Sequence, residues 1–134
     1  MDADDNAGED SPGKPAALAG LVGAWLDWAA AATELGLGAG QVRRLVQQHR
    51  LAAAVPEDGT GGTGVRIPAE LIMDGAIVKG LPGTLTVLHD GGLDDPEALA
   101  WLFTPDDSLP GRPIDALREN RGTEVKRRAQ AMAL

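Results

Sequence analysis

Cysteine and tyrosine are absent from this chain of 134 residues, and aromatic side chains are scarce, with three Trp and one Phe. The lack of cysteine excludes a disulfide framework, a thiolate metal site and a cysteine nucleophile. No run approaches the roughly 18 apolar residues of a membrane-spanning helix. The acidic N-terminus is neither a secretory signal nor an Arg-rich transit peptide. We therefore expect a cytoplasmic protein without membrane association, whose core is built from Ala, Leu and Val.

The net charge of −8 is unevenly distributed along the chain. Residues 1–14 carry five acids and one base, residues 15–68 carry four of each, and residues 69–134 carry eleven acids and seven bases. No acid lies between Glu34 and Glu57, a stretch that contains Arg43, Arg44 and Arg50. Because salt screens charges beyond about 8–10 Å, a local cationic face is able to bind phosphate even on an acidic protein.

The first sixteen residues contain Asp, Gly, Asn, Ser and Pro with almost nothing apolar, which predicts a disordered acidic leader. This leader is an inert solubilising tail, an electrostatic competitor for a basic face, or a regulatory segment. Ser11 is its only hydroxyl, and a phosphate there would add roughly −1.5 to −2 units of charge. The apolar residues 18–25 are broken by Gly20 and Gly23, so we expect an irregular segment there.

Residues 28–50 have the pattern of a helix-turn-helix. Asp27 is a suitable N-cap for a first helix, Ala32 suits a close helix crossing, and Gly36 suits a left-handed helix end. Val42 and Leu45 then recur at helical spacing in a second helix that begins near residue 38 or 39. An amphipathic helical hairpin in an ordinary bundle has a similar pattern.

The second helix, over residues 39–50, is the predicted recognition helix. Arginine forks suit guanine edges and phosphates, and glutamine suits adenine. Groove contacts are expected from the N-terminal half of such a helix, with phosphate contacts beyond it. The predicted DNA-binding residues on this helix are Gln41, Arg43, Arg44, Gln47, Gln48 and Arg50.

A wing is predicted over residues 51–67, because two short apolar segments flank a Gly-rich connection. Residues 51–55 form the first strand of this prediction, or else extend the helix, and residues 65–67 form the return strand before Pro68. The loop over residues 56–64 would touch an adjacent minor groove. Thr60, Thr63 and Arg66 are the DNA-binding candidates of this wing, with Arg66 as a phosphate contact.

Beyond residue 69 the pattern predicts short helices only. Residues 69–75 form a short helix at most, and residues 81, 85 and 88 share an apolar face. Asp95 is predicted to cap a helix that contains Leu99, Leu102 and Phe103, with Pro96 in its first position. Pro113 begins a helix with Ile114 and Leu117, and Thr123 caps a last helix with Val125, Ala129 and Met132 inward. Together these patterns predict a mainly α protein: a leader (1–16), a winged helix-turn-helix (17–68) and a compact all-helical C-terminal domain (69–134).

Catalysis, cofactors and metals find no support in the sequence. Residues 59–64 match G-x-G-x-x-G, but no helix follows to place its N-terminus at a pyrophosphate. His49 and His89 are the only histidines, which is too few for a zinc site, and His89-Asp90 is a polar pair at a helix C-terminus. Nothing places a nucleophile beside the paired aspartates. A second basic group, residues 118–128, is either a solvated helix face, or a supplementary phosphate contact or partner surface.

Residues 25–68 resemble the excisionase and MerR type of winged helix. Residues 81–92 (LPGTLTVLHDGG), 101–105 (WLFTP), 112–117 (RPIDAL) and 125–132 (VKRRAQAM) resemble a small actinobacterial family that joins a winged helix-turn-helix to a helical C-terminal domain. This resemblance implies a cytoplasmic DNA-binding protein, and the family includes a substrate of a Ser/Thr protein kinase that is modified in its leader. Here the leader has no threonine, so such phosphorylation carries over only to Ser11.

The expected function is therefore binding of double-stranded DNA in the nucleoid, as a transcriptional regulator or a nucleoid-associated factor, without enzymatic activity. Three to five phosphate contacts imply modest affinity and a log–log salt slope of roughly −3 to −4. The alternative is a protein-interaction adaptor, because the Trp-x-x-x-Pro and Arg-Pro-Ile-Asp-x-Leu motifs are similar to the C-terminal domain of Xre-type antitoxins. In that case the helical domain would bind a protein partner and DNA affinity would be incidental.

Overall fold

The computed structural model describes residues 16–56, 64–109 and 111–133. The elements in chain order are α1 (Ala16–Val22), β1 (Trp25–Leu26), α2 (Trp28–Leu35), α3 (Ala39–Gln47), β2 (Ile67–Pro68), a 3₁₀ turn (Ala69–Leu71), β3 (Ile72–Met73), β4 (Ala76–Ile77), α4 (Leu81–Asp90), α5 (Asp95–Phe103), α6 (Pro113–Arg118) and α7 (Gly122–Ala133). Strand β1 pairs with β2 and β3 pairs with β4, both antiparallel. The fold is thus mainly helical with small two-stranded sheets, and the predicted leader falls outside the described residues except for Ala16.

The irregular segment predicted over residues 18–25 is wrong, because α1 is a regular helix that ends at Val22. Leu18 and Val22 are spaced one helical turn apart, and both are buried. Gly20 lies on the exposed side, where a Cβ would meet nothing within 4 Å, so it lowers helix propensity without interrupting the buried face. Gly23, with φ +81°, ends the helix in the left-handed region.

One hydrophobic core extends through both halves of the chain. Helix α1 packs on α5, α2 packs on α3, and α4 packs extensively on α7. The β1–β2 pair places Trp25 opposite Pro68 and Leu26 opposite Ile67, so the segment before the helix-turn-helix is joined to the segment after it. The helix-turn-helix is therefore held on a continuous core together with the C-terminal helices.

The short helix predicted at most over residues 69–75 is limited to the 3₁₀ turn Ala69–Leu71, and a β-hairpin takes the place of the rest. Ile72 pairs with Ile77 and Met73 with Ala76 across a turn at Asp74 and Gly75. Both turn residues have positive φ, 54° and 79°, which is the geometry that an Asp-Gly turn favours between strands. The C-terminal part of the chain after residue 69 is thus not purely helical.

The predicted apolar faces of the C-terminal helices are confirmed except at one position, and two predicted caps are wrong. Thr123 is not the N-cap of α7, because the helix begins at Gly122 and Thr123 lies within it. Leu99, Leu102 and Phe103 are buried, as are the interior positions of α4 and α6. Asp94, not Asp95, is the N-cap of α5, because its carboxylate accepts a hydrogen bond from the Glu97 amide at 2.9 Å. Met132 is 41% exposed and does not face the core.

An arginine at the start of α6 ties this helix to the 3₁₀ turn. Arg112 donates to Glu70 at 2.7 Å and to Asp115 at 2.6 Å, and its guanidinium lies 5.3 Å from the centre of the Phe103 ring. The hydrogen bond from Arg112 lowers the pKa of the Asp115 carboxyl below its ordinary value. Arg118 also donates to the backbone carbonyl of Glu70, at 2.8 Å. These contacts attach the 3₁₀ turn, which lies between β2 and β3, to helix α6.

Candidate nucleic-acid interface

The helix-turn-helix forms with the local signals that the sequence predicts. Asp27 accepts a hydrogen bond from the Ala30 amide at 2.7 Å, which caps α2. Gly36 has φ 69° and ψ 33°, the left-handed conformation that ends α2 and turns the chain toward α3. Ala32 and Val42 are 6% and 0% exposed, so small side chains allow the two helices to pack closely.

Helix α3 presents a polar, cationic face to solvent. Val42 is fully buried and Leu45 and Val46 are half-buried on one side of the helix. At 100° per residue, positions 43, 44 and 47 lie opposite that side. Arg43, Arg44 and Gln47 are all exposed, so neither the core nor the C-terminal half covers the principal candidate residues.

The helix predicted to be the recognition helix is shorter than the predicted range 39–50, since α3 ends at Gln47 with Gln48 as its C-cap. The Arg50 amide donates to the Leu45 carbonyl at 2.9 Å and the His49 amide to the Val46 carbonyl at 3.1 Å. This pair of bonds is a Schellman motif, which turns the chain away from the helix axis. Gln48 and Arg50 remain exposed beside the end of α3, but not on the helix itself.

Gln41 has a structural role that the sequence analysis did not predict. Its side-chain Oε1 accepts a hydrogen bond from the Gly38 amide at 2.8 Å and so closes the first turn of α3. The residue is exposed, and its side-chain Nε2 amide group takes no part in this hydrogen bond. A base contact by this side chain would therefore use the NH₂ rather than the oxygen.

Trp28 orients one of the arginines. The Arg43 guanidinium carbon lies 5.3 Å from the centre of the Trp28 ring, within the range of a cation–π contact. Trp28 is half-buried at the start of α2, so the contact joins the two helices on their outer side. No sequence signal identifies this pair, because a separation of 15 residues matches no local spacing rule.

Of the predicted wing, the structure describes only the base, since residues 57–63 lie outside the described residues. Ala54 and Arg66 form an isolated antiparallel bridge, with N–O distances of 3.0 and 2.8 Å. Neither the first strand over residues 51–55 nor the return strand over 65–67 forms as predicted, because Ile67 pairs with Leu26 of β1 instead. Arg66 is half-buried and donates to the Val65 carbonyl at 3.3 Å. Thr60 and Thr63 lie outside the described residues, as does Ser11.

Within the described part of the chain, Arg43, Arg44, Arg50 and Arg66 form no salt bridge with an acidic side chain. The second basic group is different. Arg118 is bound to backbone carbonyls, and Arg121 lies 3.9 Å from Glu119 and 3.6 Å from Glu124. The exposed members of that group are Lys126, Arg127 and Arg128. The cationic groups available near α3 are thus the ones that the sequence singled out.

The described residues offer few groups for a metal site, a membrane-spanning helix or a nucleotide site. Among the described residues, no three His, Asp or Glu side chains cluster in a way that would hold a metal ion. No helix in the described ranges is long and apolar enough to cross a membrane. The segment after the Gly-rich residues 59–64 contains the Arg66 bridge and strand β2 rather than a helix, which leaves a pyrophosphate without a helix N-terminus.

The chain is similar to known proteins along most of its length. Residues 78–133 match the family described as the Rv2175c C-terminal domain of unknown function. The DNA-binding protein Rv2175c of Mycobacterium tuberculosis (strain ATCC 25618 / H37Rv) is 45% identical over 105 residues, which cover 69% of this chain and 70% of the relative. The NMR structure of Rv2175c superposes with a TM-score of 0.73 at 39% identity and covers 83% of this chain and 82% of that one. The chain therefore belongs to the Rv2175c family.

Proposed function

We propose that this protein binds double-stranded DNA through the exposed face of α3. The observation that carries the proposal is the placement of Arg43, Arg44 and Gln47 on one uncovered side of the second helix of a helix-turn-helix. Arginine and glutamine are the side chains that recognise guanine and adenine edges in the major groove. The M. tuberculosis relative is named a DNA-binding protein, which supports the same function here.

Under this proposal the Ala54–Arg66 bridge is the base of a wing, and the molecule is a winged helix-turn-helix. Arg66 belongs to that base and Arg50 lies just after the end of α3, and both would contact phosphates beside the groove. Thr60 and Thr63 would approach the adjacent minor groove. A role in transcriptional regulation or in nucleoid structure, in the cytoplasm, follows from DNA as the partner. A Ser/Thr protein kinase acting on Ser11 would oppose binding, since a phosphate adds negative charge.

The test is a titration of the full chain with generic duplex DNA at several salt concentrations. Three to five phosphate contacts give a log–log slope of the association constant against salt concentration of roughly −3 to −4. A slope near zero, or no binding at about 50 mM salt, would contradict the proposal. Comparing several duplex sequences at one salt concentration then separates a sequence-specific regulator from a nucleoid-associated factor.

An antitoxin-like adaptor remains the second candidate, because the Trp101–Pro105 and Arg112–Leu117 motifs resemble those of Xre-type antitoxins. It is tested with the full chain that carries Arg43→Ala and Arg44→Ala. A stoichiometric protein partner that is retained by this variant after DNA binding is lost would favour the adaptor. If the variant loses the protein partner and DNA binding together, DNA bridges this protein and that partner.

A further inference from the structure

The end of the recognition helix carries a histidine at a position where glycine is preferred. His49 has φ 61° and occupies the C′ position of the Schellman motif that ends α3. Residues with a Cβ rarely adopt this conformation, and glycine is the usual occupant. The imidazole ring is therefore not explained by the local backbone, and its contacts lie in the C-terminal half of the chain.

The His49 ring contacts His89 of α4, and His89 in turn lies beside Asp95 of α5. The rings of His49 and His89 lie 3.8 Å apart between centroids, at an interplanar angle of 51°. His89 Nε2 lies 2.8 Å from Asp95 Oδ1, and their side chains are 11% and 20% exposed. The direction of this approach departs from that of a hydrogen bond, so Nε2 has no directed partner. The contact is therefore a close approach of the ring nitrogen to the carboxylate without the angle of a hydrogen bond.

Asp95 also holds the backbone that follows α3. Its Oδ2 accepts a hydrogen bond from the Ala53 amide at 3.0 Å, one residue before the Ala54–Arg66 bridge. The same carboxylate thus contacts His89 and the polypeptide between the recognition helix and the base of the wing. The His89–Asp95 pair meets the DNA-binding half at two points, one at each end of residues 49–53.

We propose that His89 and Asp95 are positioning residues that fix α3 and the Ala54–Arg66 bridge relative to each other for DNA binding. This inference rests on the proposed function for its effect on affinity. It assigns a task to the C-terminal domain, because the family match over residues 78–133 contains both residues and neither His49 nor Ala53. Removal of the pair should leave the arginines in place on α3 but loosen the orientation of that helix to the wing base.

The first experiment compares three variants of the full chain. Asp95→Ala should weaken duplex binding about fivefold or more, a typical size for coupling between two sites. Asp95→Asn keeps an oxygen acceptor for the Ala53 amide and should bind nearly as well as the wild type. Asp94→Ala is the matched control, because it removes the neighbouring N-cap of α5 without touching Ala53. Equal losses in Asp95→Ala and Asp94→Ala would overturn the proposal, since the effect would then be helix stability alone.

The second experiment separates the histidine pair from direct DNA contact by His49. His49→Gly removes the ring while relieving the left-handed backbone, so the fold should be at least as stable. His89→Leu removes the other ring, which lies on α4. If the pair acts together, the double variant binds no more weakly than the worse single variant. Additive losses would overturn the role of the pair.

Hydrogen exchange of the Ala53 amide provides a readout that does not depend on DNA. Exchange should accelerate in Asp95→Ala and remain slow in Asp95→Asn and Asp94→Ala. Unchanged exchange in Asp95→Ala would overturn the contact, and accelerated exchange with unchanged affinity would overturn its role in binding. If the wild type binds no duplex, the proposed function fails, and the positioning role for binding fails with it, while the exchange still decides whether the contact exists.

Discussion

Removing two arginines from α3 should change the salt dependence of DNA binding more clearly than any other substitution. Under the proposal Arg43 and Arg44 contact phosphates as well as the groove. Each lost phosphate contact reduces the magnitude of the log–log salt slope by about 0.9, so Arg43→Ala with Arg44→Ala should reduce it by about 1.8. Between 50 and 200 mM salt, one contact corresponds to a factor of about 3.5 in affinity, and two to about twelve. Both side chains are exposed, but the double variant also removes the contact of Arg43 with Trp28. The free energy of unfolding should therefore fall by no more than about 1 kcal/mol.

The assay is fluorescence anisotropy with one labelled duplex at four salt concentrations, together with urea unfolding of each variant. Arg127→Ala with Arg128→Ala is the matched control, because it makes the same change in net charge on exposed positions of α7. We expect the wild-type slope for this control and a reduced slope for the α3 variant. Equal slopes for the two double variants would refute the assignment of α3 as the interface, since only total charge would then matter.

Three further predictions follow from single contacts. Trp28→Leu should weaken DNA binding by about 0.5–1 kcal/mol in a titration, because it removes the aromatic face beside Arg43. Trp28→Phe should retain most of the affinity. Equal losses of affinity in the two variants would argue against the cation–π contact. The pKa of Asp115 is lowered by its hydrogen bond with Arg112. The ionised carboxylate therefore stabilises the fold above about pH 4, and this stabilisation is lost as the pH falls through the lowered pKa. Asp115→Asn should reduce the fall in Tm between about pH 5 and pH 2, and an unchanged dependence of Tm on pH would contradict this. Asp27→Ala removes the N-cap of α2 and should lower the free energy of unfolding by about 1 kcal/mol in urea denaturation; no change would mean that the cap is replaced by water.

The helix-turn-helix could be predicted from sequence because its signals are local. The cap at Asp27, the left-handed glycine at Gly36 and the buried Val42 all act within about four turns of helix. The same signals predict which side of α3 is exposed. They therefore identify Arg43 and Arg44 as candidate DNA-binding residues. The helix end was missed because His49 stands where a glycine would normally mark it.

The sheets were predicted poorly, for two different reasons. The partner of Ile67 is Leu26, 41 residues earlier, and no local pattern specifies a pairing over that distance. The β3–β4 hairpin did have a local signal, the Asp74-Gly75 turn between apolar pairs. Strands of two residues are too short to show alternation, so the turn was the only available sign. The contact between His49 and His89 has no sequence signal at all.

The position of a helix in the sequence also does not show which half of the chain it packs against. Helix α1 precedes the helix-turn-helix, yet it packs on α5 and buries Leu18 and Val22. Burial of two such side chains stabilises a fold by about 3–6 kcal/mol, a large part of a typical total of about 5–15 kcal/mol. A fragment of residues 69–134 would lose this helix and expose the apolar side of α5. Binding of a protein partner by the C-terminal half therefore has to be measured on the full chain with substitutions at exposed positions, because an unfolded fragment would capture partners through its exposed core.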